Sequence, residues 1–232
     1  AVDWAFETPP VVDLFEREEW LLRNFVEFAI AIPLMYLSFM GFMWALRDLA
    51  GRMFSASRYL LDAVPLIGLL LLPPFFTATN YVYDPPTLML FTAGLALMAR
   101  QSWAAYLLVF LLACINKETT LLLGVIFALV HFSDPLQLDR RRFWGLLAAQ
   151  VVIVLLVRLV LMSVFAGNPG GAVNFTLFKN VFLLTGQTYT LPEVVTWIGV
   201  LLLMFYRWPE KPLFLRRGLW IVVPLFGLML FF

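Results

Sequence analysis

WAAYLLVFLLACINKETTLLLGVIFALVHF, residues 103–132, is an almost wholly apolar stretch with one polar interruption, Asn116-Lys117-Glu118. If this stretch lies in a membrane as a single helix, its charges sit near the bilayer centre, at a cost of about 2.5–3.5 kcal/mol each. Two short helices joined by a turn bring the same charges to a membrane surface instead. The choice between these two topologies determines on which side of the membrane every later loop lies.

The composition of the whole chain favours a membrane environment. Of 232 residues, 62% are hydrophobic and 13% are charged, whereas soluble domains average about 45–50% and about 25%. The chain contains 23 Phe and 8 Trp, and its mean hydropathy is +0.90. A soluble monomer would expose too much apolar surface, and a net charge of +1 gives no reason to expect a nucleic-acid partner.

Apolar runs along the chain predict an all-α, polytopic transmembrane fold of about eight spans. Three consecutive spans are shorter than the roughly 20 residues that a helix needs to cross the hydrocarbon core unaided. We expect these short helices to be paired among their neighbours. The predicted spans are 25–46, 59–79, 86–99, 103–115, 119–132, 143–165, 192–206 and 218–232.

The placement of basic residues favours the turn over the single long helix. With a turn at 116–118, four basic residues fall in outer segments: Arg17, Arg23, Lys117 and Lys179. The inner loops then hold Arg47, Arg52, Arg58, Arg100, Arg140, Arg141, Arg142, Arg207, Lys211, Arg216 and Arg217. A single helix would reverse every later loop and break the positive-inside rule. The sequence therefore predicts two short helices.

This topology divides the chain into two parts. Residues 1–24 become an extracytoplasmic segment with helical amphipathic spacing, which we interpret as an interfacial helix leading into the first span. Residues 25–232 form a single transmembrane domain. The chain begins without Met and stops within an apolar run, so we expect both ends to be truncated.

Two outer turns, 80–86 and 116–118, carry the residues best suited to chemistry. Two short helices separate them, so Asp84, Lys117 and Glu118 are expected to converge in a recessed pocket. An ammonium beside a carboxylate suits an anionic head group and a proton acceptor. Helix capping is the alternative, because Asp84 before Pro85 and Asn116 before the next helix are both good caps. Capping leaves Lys117 unexplained, since a cation at a helix N-terminus is unfavourable.

Arg158 is the one basic residue inside a predicted span. A buried arginine in a membrane needs an acceptor. We consider Glu27, Asp62 or a lipid phosphate, and a structural ion pair is the alternative to a binding role.

The runs Tyr83-Asp84-Pro85-Pro86-Thr87 and Ile115-Asn116-Lys117-Glu118-Thr119 resemble the membrane core of GT-C-type glycosyltransferases. This superfamily includes protein O-mannosyltransferases and the aminoarabinose transferase of lipid A. The resemblance covers residues 59–165, and Arg100 matches an inner arginine turn of the family.

The resemblance implies a bacterial inner-membrane enzyme that transfers sugar from a polyprenyl-phosphate donor at the extracytoplasmic face. Asp84 and Glu118 would then be catalytic, and Lys117 and Arg158 would bind the donor phosphate, with the membrane lipid as partner. We assign no metal ligands and expect no cofactor apart from the donor substrate, and the sequence leaves any metal requirement open. The family's principal carboxylate follows a first helix that this chain lacks. No local motif selects its counterpart among Asp3, Glu7 and Asp13, and many members have Lys-Gly where this chain has Lys117-Glu118.

Two other functions remain open from the sequence. A non-catalytic subunit of a larger membrane complex would explain the absent first helix and the aromatic surface, and copurifying proteins would identify it. A transporter or lipid-binding protein is suggested by Arg158 and the intramembrane prolines. Transporters often have paired broken helices in two related halves, which this sequence does not display.

Overall fold

The computed structural model describes residues 17–70, 84–132, 138–167 and 191–222, and within these ranges the chain forms helices joined by turns. None of the described residues lies in a β-strand. The predicted all-α class is therefore confirmed for the described part of the chain.

The helices follow the predicted apolar runs, with several changes at their ends. The elements are α1 Arg17–Met53, α2 Arg58–Leu70, α3 Asp84–Ala99, α4 Trp103–Asn116, a 3₁₀ turn Glu118–Leu121, α5 Leu122–His131, α6 Arg140–Val164, α7 Leu191–Phe205, a 3₁₀ turn Trp208–Glu210 and α8 Leu213–Leu219. Helix α1 runs without interruption through the predicted boundary at residue 24. Residues 213–217, expected as a loop, are helical.

Two helices are long and apolar enough to cross a membrane, Ala29–Met53 and Arg140–Val164. Helix α4 and the segment Thr119–His131 are apolar but shorter. These lengths and compositions are compatible with a membrane protein. The count of eight spans stays a prediction.

The polar interruption at 116–118 is a turn. Helix α4 ends at Asn116, and Lys117 has extended backbone angles, φ −157° and ψ 142°. The Lys117 N–H donates to the Ala113 carbonyl, and the Lys117 carbonyl accepts hydrogen bonds from the Thr120 N–H and hydroxyl. These bonds satisfy both backbone groups of Lys117 internally, as a low-dielectric environment requires. The prediction of two short helices is confirmed.

Ring and side-chain contacts set the direction of the central helices. Tyr106 near the start of α4 stacks on Phe127 of α5 at 5.9 Å, and its hydroxyl donates to Gln150 Oε1 of α6 at 3.0 Å. Phe127 also stacks on Phe143 near the start of α6 at 5.6 Å, whereas Gly124, earlier in α5, lies beside Gln150, later in α6. Helix α5 is therefore antiparallel to α6 and to α4, and α4 and α6 are parallel.

The core lies where α3, α4, α5 and α6 meet. Its largest fully buried side chains are Met98, Tyr106, Phe110, Leu123 and Phe127. Burial of aromatic side chains provides most of the packing energy in such a cluster. The short helices are thus held by their neighbours rather than by their own length.

Glycines allow the closest helix contacts. Gly41 of α1 lies against Met89 of α3, and Gly94 of α3 lies against Leu123 of α5, each so closely that a Cβ would overlap the neighbour. Small residues at helix crossings let backbones approach in membrane proteins. These two contacts seat α3 between α1 and α5.

The charged residues separate to opposite ends of the helices. Arg100 in the α3–α4 turn interacts with Asp48 near the end of α1, and Arg217 donates to the Val130 carbonyl at the end of α5. We call this the arginine end; its basic residues are Arg47, Arg52, Arg58, Arg100, Arg140, Arg141, Arg142, Arg216 and Arg217. We call the opposite end, where α3 begins and α4 stops, the lysine end; it is defined by Asp84, Thr87, Asn116 and Lys117.

Candidate functional site

The lysine end contains a direct ion pair between the two residues that the sequence singled out. Lys117 Nζ lies 2.6 Å from Asp84 Oδ1. The Lys117 side chain is 32% exposed and the Asp84 side chain is 15% exposed. The pair is therefore accessible to solvent but partly desolvated. The expected convergence of these two residues is present in the structure.

Helix geometry explains why both charges are tolerated here. Asp84 is the first residue of α3, and Lys117 directly follows the last residue of α4. A carboxylate at a helix N-terminus and an ammonium at a helix C-terminus both complement the helix dipole. Lys117 also precedes the 3₁₀ turn that leads into α5, as expected from the sequence, but its place at the C-terminus of the fourteen-residue α4 was not foreseen and offsets the unfavourable dipole of the next helix.

A second polar contact lies beside the ion pair. The Asn116 side-chain amide donates to Thr87 Oγ1 at 2.7 Å. Asn116 was expected to cap the following helix, but its amide ties α4 to α3, and Lys117 occupies the capping position. Sequence reasoning missed Thr87. The available signal was its position one helical turn after Asp84, on the same face of α3.

The ion pair lies below the ends of the two spanning helices. Contact between Gly41 and Met89 puts Asp84 level with residue 36 of α1, and the Tyr106–Gln150 hydrogen bond puts Lys117 level with residue 161 of α6, because α4 and α6 are parallel. At 1.5 Å per residue, α1 from residue 29 and α6 to its end extend past the pair by roughly 5–10 Å. Because α3 and α4 are short, the Asp84–Lys117 pair lies below the ends of α1 and α6.

Arg158 lies on α6 toward the lysine end. It follows Gln150 by eight residues, and Cys114 follows Tyr106 by eight residues on the parallel helix α4, so the Tyr106–Gln150 hydrogen bond puts Arg158 level with Cys114. That level is about one helical turn of α4 below Lys117. Asp62, a suggested partner for Arg158, instead pairs with Arg47 at the arginine end. The Glu27 side chain lies outside the described residues.

Other residues of the predicted site lie in different places. Glu118 begins the 3₁₀ turn that follows Lys117, and its side chain lies outside the described residues. Asp3, Glu7 and Asp13 fall in residues 1–16, also outside them. Arg100 lies at the arginine end and interacts with Asp48 at 3.9 Å.

The arrangement combines an anion-binding group with a proton acceptor. The Lys117 ammonium can donate to a phosphate oxygen, and the Asp84 carboxylate can accept a proton from a hydroxyl. Among the described residues, no group of three or more His, Cys, Asp or Glu side chains lies close enough together to hold a metal ion. The Asp84–Lys117 pair itself offers electrostatic stabilisation and proton transfer.

Comparison with models of known protein families, with curated proteins and with solved structures finds no match to this chain. The geometry of the site and the sequence resemblance are therefore the grounds for assigning a function.

Proposed function

We propose that the chain is a GT-C-like membrane glycosyltransferase that takes its sugar from a polyprenyl-phosphate donor. The supporting observation is the Asp84–Lys117 pair, which joins the two short helices whose sequences resemble that family. An ammonium and a carboxylate in contact at a recessed level suit a lipid-linked phosphate and a hydroxyl acceptor.

The proposed reaction assigns one role to each charged group. The acceptor hydroxyl attacks the sugar's anomeric carbon and gives its proton to the Asp84 carboxylate. The bond between that carbon and the phosphate oxygen breaks, and the electron pair leaves with the phosphate. Lys117 stabilises the phosphate charge that develops. Arg158 adds a second positive charge one turn below, and Glu118 is the alternative carboxylate.

The proposed orientation follows from charge. Basic residues flank the cytoplasmic ends of membrane helices more often than the outer ends. The arginine end therefore faces the cytoplasm, and the lysine end opens to the extracytoplasmic side of a bacterial inner membrane. Donor sugars carried on polyprenyl phosphate would reach the site from the outer leaflet.

The first experiment measures polyprenyl-phosphate binding and sugar transfer in purified Asp84→Asn and Lys117→Gln variants. Lys117→Gln should weaken binding about tenfold or more, because a charged hydrogen bond of about 1.5–3 kcal/mol is lost. Asp84→Asn should preserve or tighten binding, because a negative charge beside the phosphate is removed. Both variants should lose transfer.

Weaker binding in Lys117→Gln without weaker binding in Asp84→Asn distinguishes a phosphate site from a structural ion pair. A structural pair would lower the stability of both variants and would leave binding by the folded fraction unchanged. Arg141→Gln, which removes an exposed charge at the arginine end, is the matched control and should leave binding and transfer intact. Unchanged binding and transfer in both site variants would contradict the proposal.

A non-catalytic subunit is the second candidate, and α7 favours it. Ile198, Leu202, Leu203 and Phe205 on this helix are all exposed, each by more than half. Such a surface suits a neighbouring membrane polypeptide as well as lipid. Sugar transfer by a purified protein that is stable alone in detergent would argue against this candidate.

A further inference from the structure

Two Arg–Asp–Arg triads lie at the arginine end. Asp62 of α2 is shared between Arg47 at 2.5 Å and Arg58 at 3.8 Å. Asp48 of α1 is shared in the same way between Arg52 at 3.1 Å and Arg100 at 3.9 Å. One carboxylate cannot neutralise two guanidinium groups, so each triad keeps one surplus positive charge.

An apolar groove of about 540 Å³ runs between α1 and α2 and ends at one of these triads. Its lining residues are Leu37, Met40, Gly41, Met43, Trp44, Arg47 and Pro65. Trp44 is 79% exposed and Arg58, at the triad, is 85% exposed. The groove is therefore an open apolar surface with a positive charge at one end.

The length and direction of the groove match a lipid in a bilayer. From Leu37 to Arg47 the lining follows α1 for about 15 Å, at 1.5 Å per residue. This stretch belongs to the apolar window of α1, and Arg47 lies near the end of that window. A molecule in the groove would thus have its apolar part within the hydrocarbon layer and its polar part at the surface on the arginine end.

We propose that this groove binds one anionic glycerophospholipid, with an acyl chain along Met40 and Trp44 and its phosphate against Arg47 and Arg58. Charge complementarity identifies the occupant. Basic pockets between transmembrane helices bind anionic head groups, and a zwitterionic lipid would gain less from the surplus charge. Guanidinium groups also hold phosphate through paired hydrogen bonds.

This site is separate from the proposed donor site. It lies on the α1–α2 face at the arginine end, whereas Asp84 and Lys117 lie at the lysine end. Loss of lipid selectivity in the groove can therefore be measured without sugar transfer, and each proposal can fail without the other.

Trp44 provides the readout. The protein is reconstituted in phosphatidylcholine vesicles that contain either brominated phosphatidylglycerol or brominated phosphatidylcholine, and tryptophan quenching is recorded. The chain has 8 Trp, so the contribution of Trp44 is obtained by subtracting the quenching of a Trp44→Phe variant. We expect brominated phosphatidylglycerol to quench Trp44 with several-fold higher apparent affinity.

Arg58→Gln tests the head-group contact. It should lower the preference for phosphatidylglycerol about fivefold, which corresponds to about 1 kcal/mol for one basic residue near a membrane surface. Arg58 is too exposed for the change to disturb folding. Arg141→Gln removes the same charge at the arginine end but away from the groove, and it should leave the preference unchanged.

Three results would overturn the proposal. Equal quenching by both brominated lipids would show that the groove does not select charge. Equal loss in Arg58→Gln and Arg141→Gln would show only general surface attraction. Absence of Trp44 quenching by either lipid would show that another polypeptide, such as a second copy of this chain, covers the groove.

Discussion

Lys117 and Asp84 hold three elements in place at once. Their contact at 2.6 Å links the start of α3 to the end of α4, and each charge also complements the dipole of its own helix. The carbonyl of Lys117 accepts two hydrogen bonds from Thr120. The same residue that would bind phosphate thus ends one helix and begins the next turn.

A double-mutant cycle measures the coupling free energy of the Asp84–Lys117 pair separately from the effect of each charge on its own helix end. We expect Asp84→Asn and Lys117→Gln each to lower the free energy of unfolding in detergent, and the double variant to cost less than their sum. The coupling should be about 1.5–3 kcal/mol, as for hydrogen bonds to charged groups in partly desolvated places. Additive losses would contradict a direct interaction. Arg207 and Glu210, an exposed pair at 2.6 Å, serve as the control and should couple by about 1 kcal/mol or less.

The ion pair could be predicted from the sequence because both of its residues interrupt apolar runs at turns expected on one face. The Asn116–Thr87 contact could not be predicted, because Asn116 has two good options, a local cap and a cross-helix hydrogen bond. Only the distance between α3 and α4 decides between them. The same limit applies to Arg158, whose neighbourhood depends on the register of α6 against α4.

At the scale of elements, α3 depends on glycine rather than on its own length. An added Cβ at Gly94 would overlap the side chain of Leu123, which is fully buried and has no room to move. The ends of α3 and α4 were predictable from Asp84-Pro85 and from Lys117. The start of α8 was not, because Leu213–Leu219 follows a proline and a short 3₁₀ turn in a segment with little apolar periodicity.

Gly94→Ala therefore tests the contact between α3 and α5. We expect it to lower the free energy of unfolding by about 1–3 kcal/mol, the range for overpacked cores. Gly145→Ala in α6 is the matched control, because no atom lies within 4 Å of its added Cβ. That variant should gain about 0.5–1 kcal/mol from reduced backbone entropy of the unfolded chain. Equal effects of the two changes on thermal unfolding in detergent would mean that α3 does not depend on close approach at Gly94.

At the scale of the whole molecule, the distribution of charge and the lengths of the helices lead to the same arrangement. Nine arginines lie at the arginine end, whereas Arg17 and Arg23 near the start of α1, Lys117 and Arg158 lie toward the other. The two helices long enough to span a membrane, α1 over Ala29–Met53 and α6 over Arg140–Val164, run in the directions that produce this separation. The positive-inside rule accounts for this distribution in a membrane protein.

This asymmetry predicts the orientation, which site-directed labelling can test. Cys114 is the one cysteine of the chain and is buried, so a Cys114→Ala protein supplies a background without reactive thiols. Ser55→Cys lies in the exposed turn between α1 and α2, at the arginine end, and Gly167→Cys lies in the exposed turn after α6, at the lysine end. A membrane-impermeant maleimide added to intact bacterial spheroplasts should label Gly167→Cys at once and Ser55→Cys only after lysis, because the positive-inside rule predicts that the arginine end faces the cytoplasm. The reverse pattern would put the Asp84–Lys117 pair on the cytoplasmic side, where an extracytoplasmic sugar donor could not reach it, and labelling of both positions before lysis would contradict a membrane-spanning chain.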